Sequence, residues 1–178
     1  MPRKPDIGLE AAILDSAMNL LDQHGLDAIK MRDVAKRAGT TTPTLYERFR
    51  DRESLLWGLI ERIQADIYPL VADAKTLPEM ADILIRYMRV HPGRLDIMHQ
   101  HWPKMMFSQH PKPVFELAIR KLIEEKNHSP KAATEKAYSL TALLFGTTLL
   151  IRNAGPQSDV ALAVWKSSLK AVQMLCEE

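Results

Sequence analysis

The sequence feature that most constrains the fold of this chain is a pair of short helical segments separated by a glycine. Four apolar residues recur at the i, i+3, i+4, i+7 spacing of one helix face: Met31, Val34, Ala35 and Ala38. Gly39 follows where helices commonly end in left-handed backbone, which glycine adopts without a β-carbon clash. The pattern predicts a helix over residues 31–38 that ends in a tight turn.

A second short helix is predicted to begin at about Thr42. Thr41 is a good N-cap because its hydroxyl can accept a hydrogen bond from a free amide of the first turn. Pro43 fits that first turn, where it costs no intrahelical hydrogen bond. Leu45 and Phe49 are four residues apart, so we expect both to face the first helix.

The opposite face of the second helix is short and mostly uncharged. It carries Pro43, Thr44 and Glu47, with Tyr46 beside them. Small side chains let a backbone approach base edges in the major groove, and methyl groups can contact thymine. Residues 30–52 include seven basic and three acidic side chains, a net charge of +4, so phosphate is the expected partner. The two helices are therefore predicted to form a DNA-binding helix-turn-helix.

The motifs of this segment resemble the DNA-binding domain of the TetR family of bacterial repressors. The matching residues are Arg32-Asp33-Val34-Ala35, Ala38-Gly39, Pro43-Thr44-Leu45-Tyr46, Phe49 and Glu53-Ser54-Leu55-Leu56. The resemblance implies DNA contacts by the residues at the family's contact positions: Thr42, Pro43, Thr44, Tyr46, Arg48 and Arg52. Tyr46 and Arg52 are expected at phosphates, and Arg32 at a base or the backbone.

Three positions depart from the usual pattern of the family. Lys30 stands where a capping threonine is common, and Glu47 and Arg48 stand where neutral, aromatic or histidine residues are frequent. Two roles remain open for Glu47. It accepts from a cytosine amine, or it only repels phosphate and rejects wrong sites. These departures bear on the operator sequence more than on the fold.

Composition indicates a globular chain whose positive charge is concentrated in one segment. The 178 residues are 46% hydrophobic and 26% charged, with a formal net charge of only +2. From Glu53 onward there are 15 basic and 14 acidic residues, so this part is nearly neutral. We predict a DNA-binding domain over residues 1–52 and a helical ligand-binding and dimerisation domain over residues 53–178.

Helical periodicity continues through the rest of the chain, so the predicted fold class is all-α with about nine helices. Residues 1–7 are expected to form a terminal arm, and a first helix then ends before Gly25. A linking helix is expected from Arg52 to about Ile67, with Pro69 ending or bending it. Five further helices are predicted, mostly after prolines, over residues 78–90, 93–102, 113–127, 130–153 and 159–176.

Methionine and aromatic residues are unusually dense between Met80 and Phe107. Such side chains adapt to varied apolar shapes, so they are candidates for the wall of an effector pocket, although each can also be an ordinary core residue. The predicted ligand-binding residues are Tyr87, Met88, His91, Met98, His99, Trp102, Met106, Phe107, Phe115 and Tyr138. The expected ligand is a small apolar or cationic molecule.

Four histidines between His91 and His110 raise the question of a metal site. His99 and His101 are two residues apart and would lie on different helix faces, unlike an i, i+4 zinc pair. We therefore predict no metal and no cofactor, and prefer His99 as a ligand-contacting or pH-responsive residue. An enzyme is disfavoured because the chain has no nucleophile elbow, phosphate loop or paired carboxylates near these histidines.

The last two helices are predicted to form a homodimer interface. We expect the first to present Leu140, Leu143, Leu144, Thr147, Thr148 and Ile151, with Gly146 permitting close approach. We expect the second to present Val160, Leu162, Ala163, Val164, Trp165, Leu169, Val172 and Leu175. Two such helix pairs can close a four-helix bundle across a two-fold axis.

The resulting prediction is a regulator that binds a palindromic operator on double-stranded DNA as a homodimer. A small-molecule effector would release it. The alternative is a DNA-binding dimer with a protein partner and no small-molecule effector. A single cysteine, Cys176, and no signal-peptide pattern make a cytoplasmic location the expectation. The uncharged run of residues 137–151 is too short for a membrane span, which needs about 20 apolar residues, and is predicted to be a buried helix.

Overall fold

The computed structural model describes residues 7–177, and these residues form an all-α structure. Nine α-helices lie within that range: α1 (Ile7–His24), α2 (Met31–Arg37), α3 (Thr42–Arg48), α4 (Arg52–Ala72), α5 (Leu77–Val90), α6 (Pro92–Met106), α7 (Pro113–Lys126), α8 (Pro130–Ala154) and α9 (Asp159–Glu177). A short 3-10 turn, Leu26–Ala28, joins α1 to α2. The prediction of an all-α fold with about nine helices is confirmed, whereas the predicted arm falls outside the described residues except for Ile7, which begins α1.

Two helices continue through a proline at which the sequence predicted that the helix would end or bend. The prediction that the linking helix ends near Ile67 is wrong, because α4 runs through Pro69 to Ala72. Helix α6 likewise runs past Trp102 and through Pro103 to Met106. Both prolines are exposed, and apolar side chains beyond them are buried, so packing outweighs the hydrogen bond that each proline removes.

Helix α4 lies at the centre of the core. Leu55, Leu59, Ile60 and Ile63 have no exposed surface, and Ile67 is 2% exposed. Fully burying one such side chain contributes roughly 1.5 to 3 kcal/mol, so this face dominates the stability of α4. One continuous apolar cluster extends from α1 through α4 to α9. The division at residues 52 and 53 therefore remains a prediction about function, since the core is shared across it.

Helix α6 begins directly against α1. A β-carbon built on Gly93 would lie under 3.0 Å from the carbonyl oxygen of Leu21, so only glycine allows this approach. The next residue, Arg94, pairs with both carboxylate oxygens of Asp22 in α1, at 2.6 and 2.9 Å. These contacts fix the first three helices against the remainder of the chain.

Within residues 7–177, no helix combines the length and hydropathy that crossing a membrane would require. The uncharged run of residues 137–151 lies in α8, and it is only partly buried. Ala137, Leu140 and Ile151 are buried, whereas Leu149 and Leu150 are 46% and 58% exposed. The expectation of a buried helix is therefore correct for one face of α8 and wrong for the other.

Candidate functional site

Helices α2 and α3 are joined by the tight turn that the sequence predicts. Gly39 has a φ of 66°, which is left-handed backbone. The hydroxyl of Thr41 accepts a hydrogen bond from the Thr44 amide at 3.2 Å, so Thr41 caps α3. Helix α2 ends at Arg37, and Ala38 is its C-cap rather than its last residue. Lys30 is the N-cap of α2 and makes no capping bond with its side chain, in line with its departure from the family pattern.

Apolar contacts hold the two helices at a fixed angle. Leu45 is fully buried and Phe49 is 6% exposed, while Val34 and Ala35 of α2 are buried opposite them. The ring of Phe49 also lies against Gly58, where an added β-carbon would be 3.1 Å from it. The prediction that Leu45 and Phe49 face the core is confirmed, and the opposite side of α3 is thereby directed to solvent.

The outward side of α3 presents most of the predicted DNA contacts. Pro43, Tyr46 and Glu47 are exposed, with Tyr46 at 49%, and Thr42 and Thr44 are half-buried. The Thr44 hydroxyl lies 2.8 Å from the Thr41 hydroxyl, so the cap also fixes the rotamer of a predicted base-contacting side chain. None of these five side chains belongs to the core.

The predicted arginine contacts lie in three different environments. Arg32 is exposed on α2, and Arg48 is half-buried with an Nε that has no hydrogen-bond partner among the described residues. Arg52 donates from Nε to the Ile29 carbonyl at 2.7 Å and from Nη2 to the Leu26 carbonyl at 3.0 Å. Arg52 thus ties the start of α4 to the turn before α2. Its phosphate contact remains a prediction, and this structural role was not visible in the sequence.

Two features together define the class of this protein. A glycine-turned helix pair presents an exposed polar face, and basic side chains surround that face. This arrangement is a helix-turn-helix of the DNA-binding type. Residues 13–57 match the family model described as bacterial regulatory proteins, tetR family. This match identifies the helix-turn-helix segment as a DNA-binding domain of the tetR family.

Two relatives with assigned names are similar to this chain over about a third of its length. The chain is 36% identical over 59 residues to the HTH-type transcriptional repressor ComR of Escherichia coli. It is 43% identical over 60 residues to the HTH-type transcriptional regulator EthR of Mycobacterium tuberculosis. Each alignment covers 33% of this chain and 28% of the relative, so it spans well under a third of either relative.

Structural similarity extends over nearly the whole chain. The crystal structure of a TetR protein from Acinetobacter baumannii AYE in complex with minocycline superposes with a TM-score of 0.69. The sequence identity is 19%, and the alignment covers 92% of each chain. At this identity the likeness establishes the shared fold of the helical part and not its ligand.

The helical part contains a partly open cavity of about 110 Å³. Helices α4 to α9 all contribute to its wall, which is mostly leucine, methionine, isoleucine and aromatic side chains. Five of the ten predicted ligand-binding residues line it: Met88, Met98, His99, Trp102 and Phe115. These five are brought together because α5, α6 and α7 surround one space.

The other five predicted residues do not line this cavity. Phe107 follows the end of α6 and is 88% exposed, and Met106 is half-buried beside it. Tyr138 is 46% exposed and packs on Phe115 from outside, with ring centroids 5.3 Å apart. Tyr87 and His91 pack on each other, at 4.7 Å between ring centroids, on the α1 side of α5. Composition identified the region, but each helix turns part of its methionine and aromatic content away from the cavity.

Sequence reasoning missed several residues of the cavity wall. One of them is Gln64 of α4, which is polar and only 2% exposed. Its position one turn from Ile60 and Ile67 on the apolar face of α4 is a signal that could have identified it. Leu84, Leu144 and Thr148 also line the cavity. The sequence had assigned Leu144 and Thr148 to the dimer interface and had given Leu84 no particular role.

Arg94 forms a polar cluster between the DNA-binding helices and the cavity. In addition to Asp22, it bonds Asp66 of α4 at 3.1 Å and the hydroxyl of Tyr87 in α5. The bonds to Asp22 hold the pKa of Arg94 above its ordinary value. Burial raises the pKa of Tyr87 and lowers that of His91. Four helices, α1, α4, α5 and α6, therefore meet at one permanently charged side chain.

The histidines do not gather into a metal site. Among the described residues, histidine, cysteine and carboxylate side chains nowhere form a group of three that could hold an ion. His99 lies in the cavity wall, 3.2 Å from the Thr148 hydroxyl, and burial lowers its pKa. His110 stacks on Trp57 at 5.1 Å and bonds Glu61 at 2.7 Å, and His101 meets the edge of the same indole.

The apolar faces predicted for dimerisation are partly internal, so the prediction is wrong for their buried members, whereas Val160, Leu162 and Ala163 are exposed. Leu140, Thr147, Ile151, Trp165 and Val172 are all at most 7% exposed, because α8 and α9 pack on each other and on α5. Each predicted face combined residues from the buried and the exposed side of its helix. The large apolar residues that remain exposed on these two helices are Tyr138, Leu149, Leu150, Val160, Leu162 and Met174.

Proposed function

We propose that this protein is a homodimeric repressor of the TetR family that binds a palindromic operator and is released from it by a small apolar molecule. The observation that carries the proposal is the combination of an exposed Thr44 and Tyr46 on α3 with an apolar cavity bordered by α4. Helix α4 spans both features, since it begins at Arg52 and carries Gln64 in the cavity wall.

DNA reading is assigned to the N-terminal part of α3. Thr44 is assigned to a base contact in the major groove, and Tyr46 to a phosphate contact. Arg48 and Arg32 supply positive charge beside the helix. The proposal treats Arg52 first as a brace of the reading helices, because its guanidinium is bonded to two carbonyls.

Selection of bound fragments from a randomised duplex library tests these assignments. Thr44→Ala is expected to change the preferred base at one position of each half-site, whereas Tyr46→Phe is expected to weaken all sequences alike. Arg48→Ala should lower the salt slope of binding by about 1 for each half-site. An unchanged base preference in Thr44→Ala would remove Thr44 from the base-reading set.

Dimerisation is assigned to the exposed faces of α8 and α9. Leu149, Leu150, Leu162 and Met174 are 46% to 63% exposed, and at Gly146 an added β-carbon would meet nothing within 4 Å. Packing two such helix pairs across a two-fold axis would cover these side chains. Reading two half-sites one turn of DNA apart would require the two copies of α3 to lie roughly 34 Å from each other.

Light scattering on size-exclusion fractions tests this assignment. Leu150→Glu is expected to yield a monomer that keeps its helical content. Phe107→Glu is the matched control, because Phe107 is 88% exposed and belongs to neither α8 nor α9, and it should leave the dimer intact. A wild-type monomer at micromolar concentration, or dimers in both variants, would contradict the proposed interface.

Release of DNA requires a ligand that prefers the arrangement incompatible with the operator. A preference of about 1 to 3 kcal/mol, equivalent to roughly 5- to 150-fold in DNA affinity, is a typical coupling. The position of α4 gives a route, since its first residue braces the reading helices and its fourth turn borders the cavity. A ligand that stabilises the protein and weakens its operator complex would support this route, and one that stabilises both equally would contradict it.

A further inference from the structure

We propose that the cavity takes an uncharged, mostly apolar molecule that carries one hydroxyl group, and that Gln64 and Trp102 recognise this hydroxyl. This inference rests on the proposed effector function and specifies the chemistry of its ligand.

The wall of the cavity excludes charged ligands. It contains no aspartate, glutamate, lysine or arginine among its lining residues, which all belong to the described part of the chain. Its polar side chains are Gln64, His99, Thr141 and Thr148. Burial lowers the pKa of His99, so this side chain is neutral at physiological pH. Burying an ion without a partner costs far more than the apolar contacts would return, which disfavours the cationic ligands that the sequence had left open.

Two polar atoms of the wall are buried and lack hydrogen-bond partners among the described residues. They are the amide oxygen Oε1 of Gln64, an acceptor, and the indole Nε1 of Trp102, a donor. The other end of the Gln64 amide is engaged, since Nε2 donates to the Pro111 carbonyl at 3.3 Å and lies 3.5 Å from the Met105 sulfur. This fixes the orientation of the amide and leaves Oε1 as the free acceptor.

A free donor and a free acceptor define the ligand group that would satisfy both. An unpaired buried polar group costs about 1 to 3 kcal/mol, so a ligand that pairs both atoms removes two such costs. A hydroxyl donates one hydrogen bond and accepts others, as Gln64 Oε1 and Trp102 Nε1 require. An ether oxygen or a carbonyl can serve only Trp102. The other polar side chains of the wall already have partners: His99 Nε2 lies 3.2 Å from the Thr148 hydroxyl, and the Thr141 hydroxyl donates to the Ala137 carbonyl.

A second, adjoining cavity contains arginines but does not favour an anionic ligand. It shares Ile85, Met88, Leu95 and Thr148 with the first cavity. Its two arginines have other partners. Arg152 forms an ion pair with Asp96, and the guanidinium of Arg89 lies 4.9 Å from the ring centroid of Trp165. An anionic headgroup would have to displace these contacts.

A series of isosteric probes tests the proposal on the full-length protein. A cavity of about 110 Å³ has room for roughly seven to ten water-sized groups, which suits an eight-carbon chain. The probes are 1-octanol, heptyl methyl ether, octanoate and octylammonium, with dissociation constants measured by calorimetry. We expect 1-octanol to bind at least tenfold more tightly than the ether and than either ion.

Two near-isosteric variants identify the recognising atoms. Gln64→Met removes the acceptor, and Trp102→Phe removes the donor. The readout is the ratio of octanol to ether affinity within each protein, which a general loosening of the cavity would not change. Gln64→Met should bring the ratio close to one, because the hydroxyl proton then has no acceptor. Trp102→Phe should weaken octanol and ether alike, because each accepts from the indole.

Several results would overturn the proposal. They are an unchanged ratio in Gln64→Met, unaltered affinities in Trp102→Phe, tighter binding of octanoate or octylammonium than of octanol, or no binding of any probe. Failure of this inference is distinguishable from failure of the proposed function by adding operator DNA. Release of DNA by a charged probe would support the proposed function and refute the proposed ligand class. Tight binding of octanol without release of DNA would support the ligand class and refute the proposed function.

Discussion

Replacing Gly93 by alanine tests whether the contact between α1 and α6 is as close as the structure indicates. The added β-carbon would lie under 3.0 Å from the carbonyl oxygen of Leu21 and 3.1 Å from its carbonyl carbon. Both are backbone atoms of a helix, so no side-chain rotation can relieve the overlap. Helix α6 must move away from α1, which also stretches the bonds between Arg94 and Asp22.

The expected cost follows from overpacking. Inserting a methyl group into a well-packed contact typically costs about 1 to 3 kcal/mol, and here the neighbours are rigid. A loss of about 2 kcal/mol corresponds to a decrease in melting temperature of roughly 4 to 8 °C for a chain of this length. Circular dichroism melts at one fixed protein concentration measure it.

Gln100→Ala is the matched control. Gln100 lies on α6 like Gly93, but its side chain is exposed. This variant should melt near the wild-type temperature, because surface substitutions usually change stability by less than about 0.5 kcal/mol. A Gly93→Ala protein that melts at or above the wild-type temperature would refute the close approach of α6 to α1.

Three further predictions concern the cap, the core and the pH dependence. Thr41→Ala removes the acceptor for the Thr44 amide and should lower the free energy of unfolding, measured by urea titration, by about 1 kcal/mol. Thr41→Ser keeps a hydroxyl acceptor and should retain most of the wild-type stability. Equal losses in both variants would contradict the cap. Leu45→Ala should lower the free energy of unfolding by about 2 to 5 kcal/mol, since Leu45 is fully buried between α3 and α2. The variant should also lose DNA binding at temperatures near its own melting midpoint. A decrease of less than about 1 kcal/mol would show that Leu45 does not anchor α3. Burial lowers the pKa of His91, His99 and His101 below the ordinary histidine value of about 6.5, so the unfolded chain binds more protons as the pH falls through that value. The free energy of unfolding should therefore be full at pH 7.5 and lower at pH 5.5, and His99→Asn should flatten this dependence; a protein equally stable at both values would refute the burial of these imidazoles.

The helix-turn-helix could be predicted because its determinants are local. Gly39 needs left-handed backbone, and Thr41 caps the helix that begins one residue later. Leu45 and Phe49 are buried because of a four-residue spacing that is visible in the sequence. Each of these features involves residues within one or two turns of helix, so the sequence order itself brings the partners together.

The cavity could be located only in part from the sequence. The density of methionine and aromatic residues identified α5 and α6, and five predicted residues line the wall. Which side of each helix faces the cavity depends on rotations set by packing against other helices. Tyr87 is directed towards Arg94 instead, and Phe107 lies beyond the end of α6 in solvent.

The sequence by itself determined the helical segments, the capped glycine turn and the concentration of positive charge in residues 30–52, because these depend on backbone preference, periodicity and composition. Only the tertiary structure decided that Arg52 bonds carbonyls 23 and 26 residues earlier, and that α6 packs closely against α1 at Gly93. It also decided that Gln64 and Trp102 share one apolar wall. These contacts join distant parts of the chain, and their existence depends on how the packed helices are rotated and spaced.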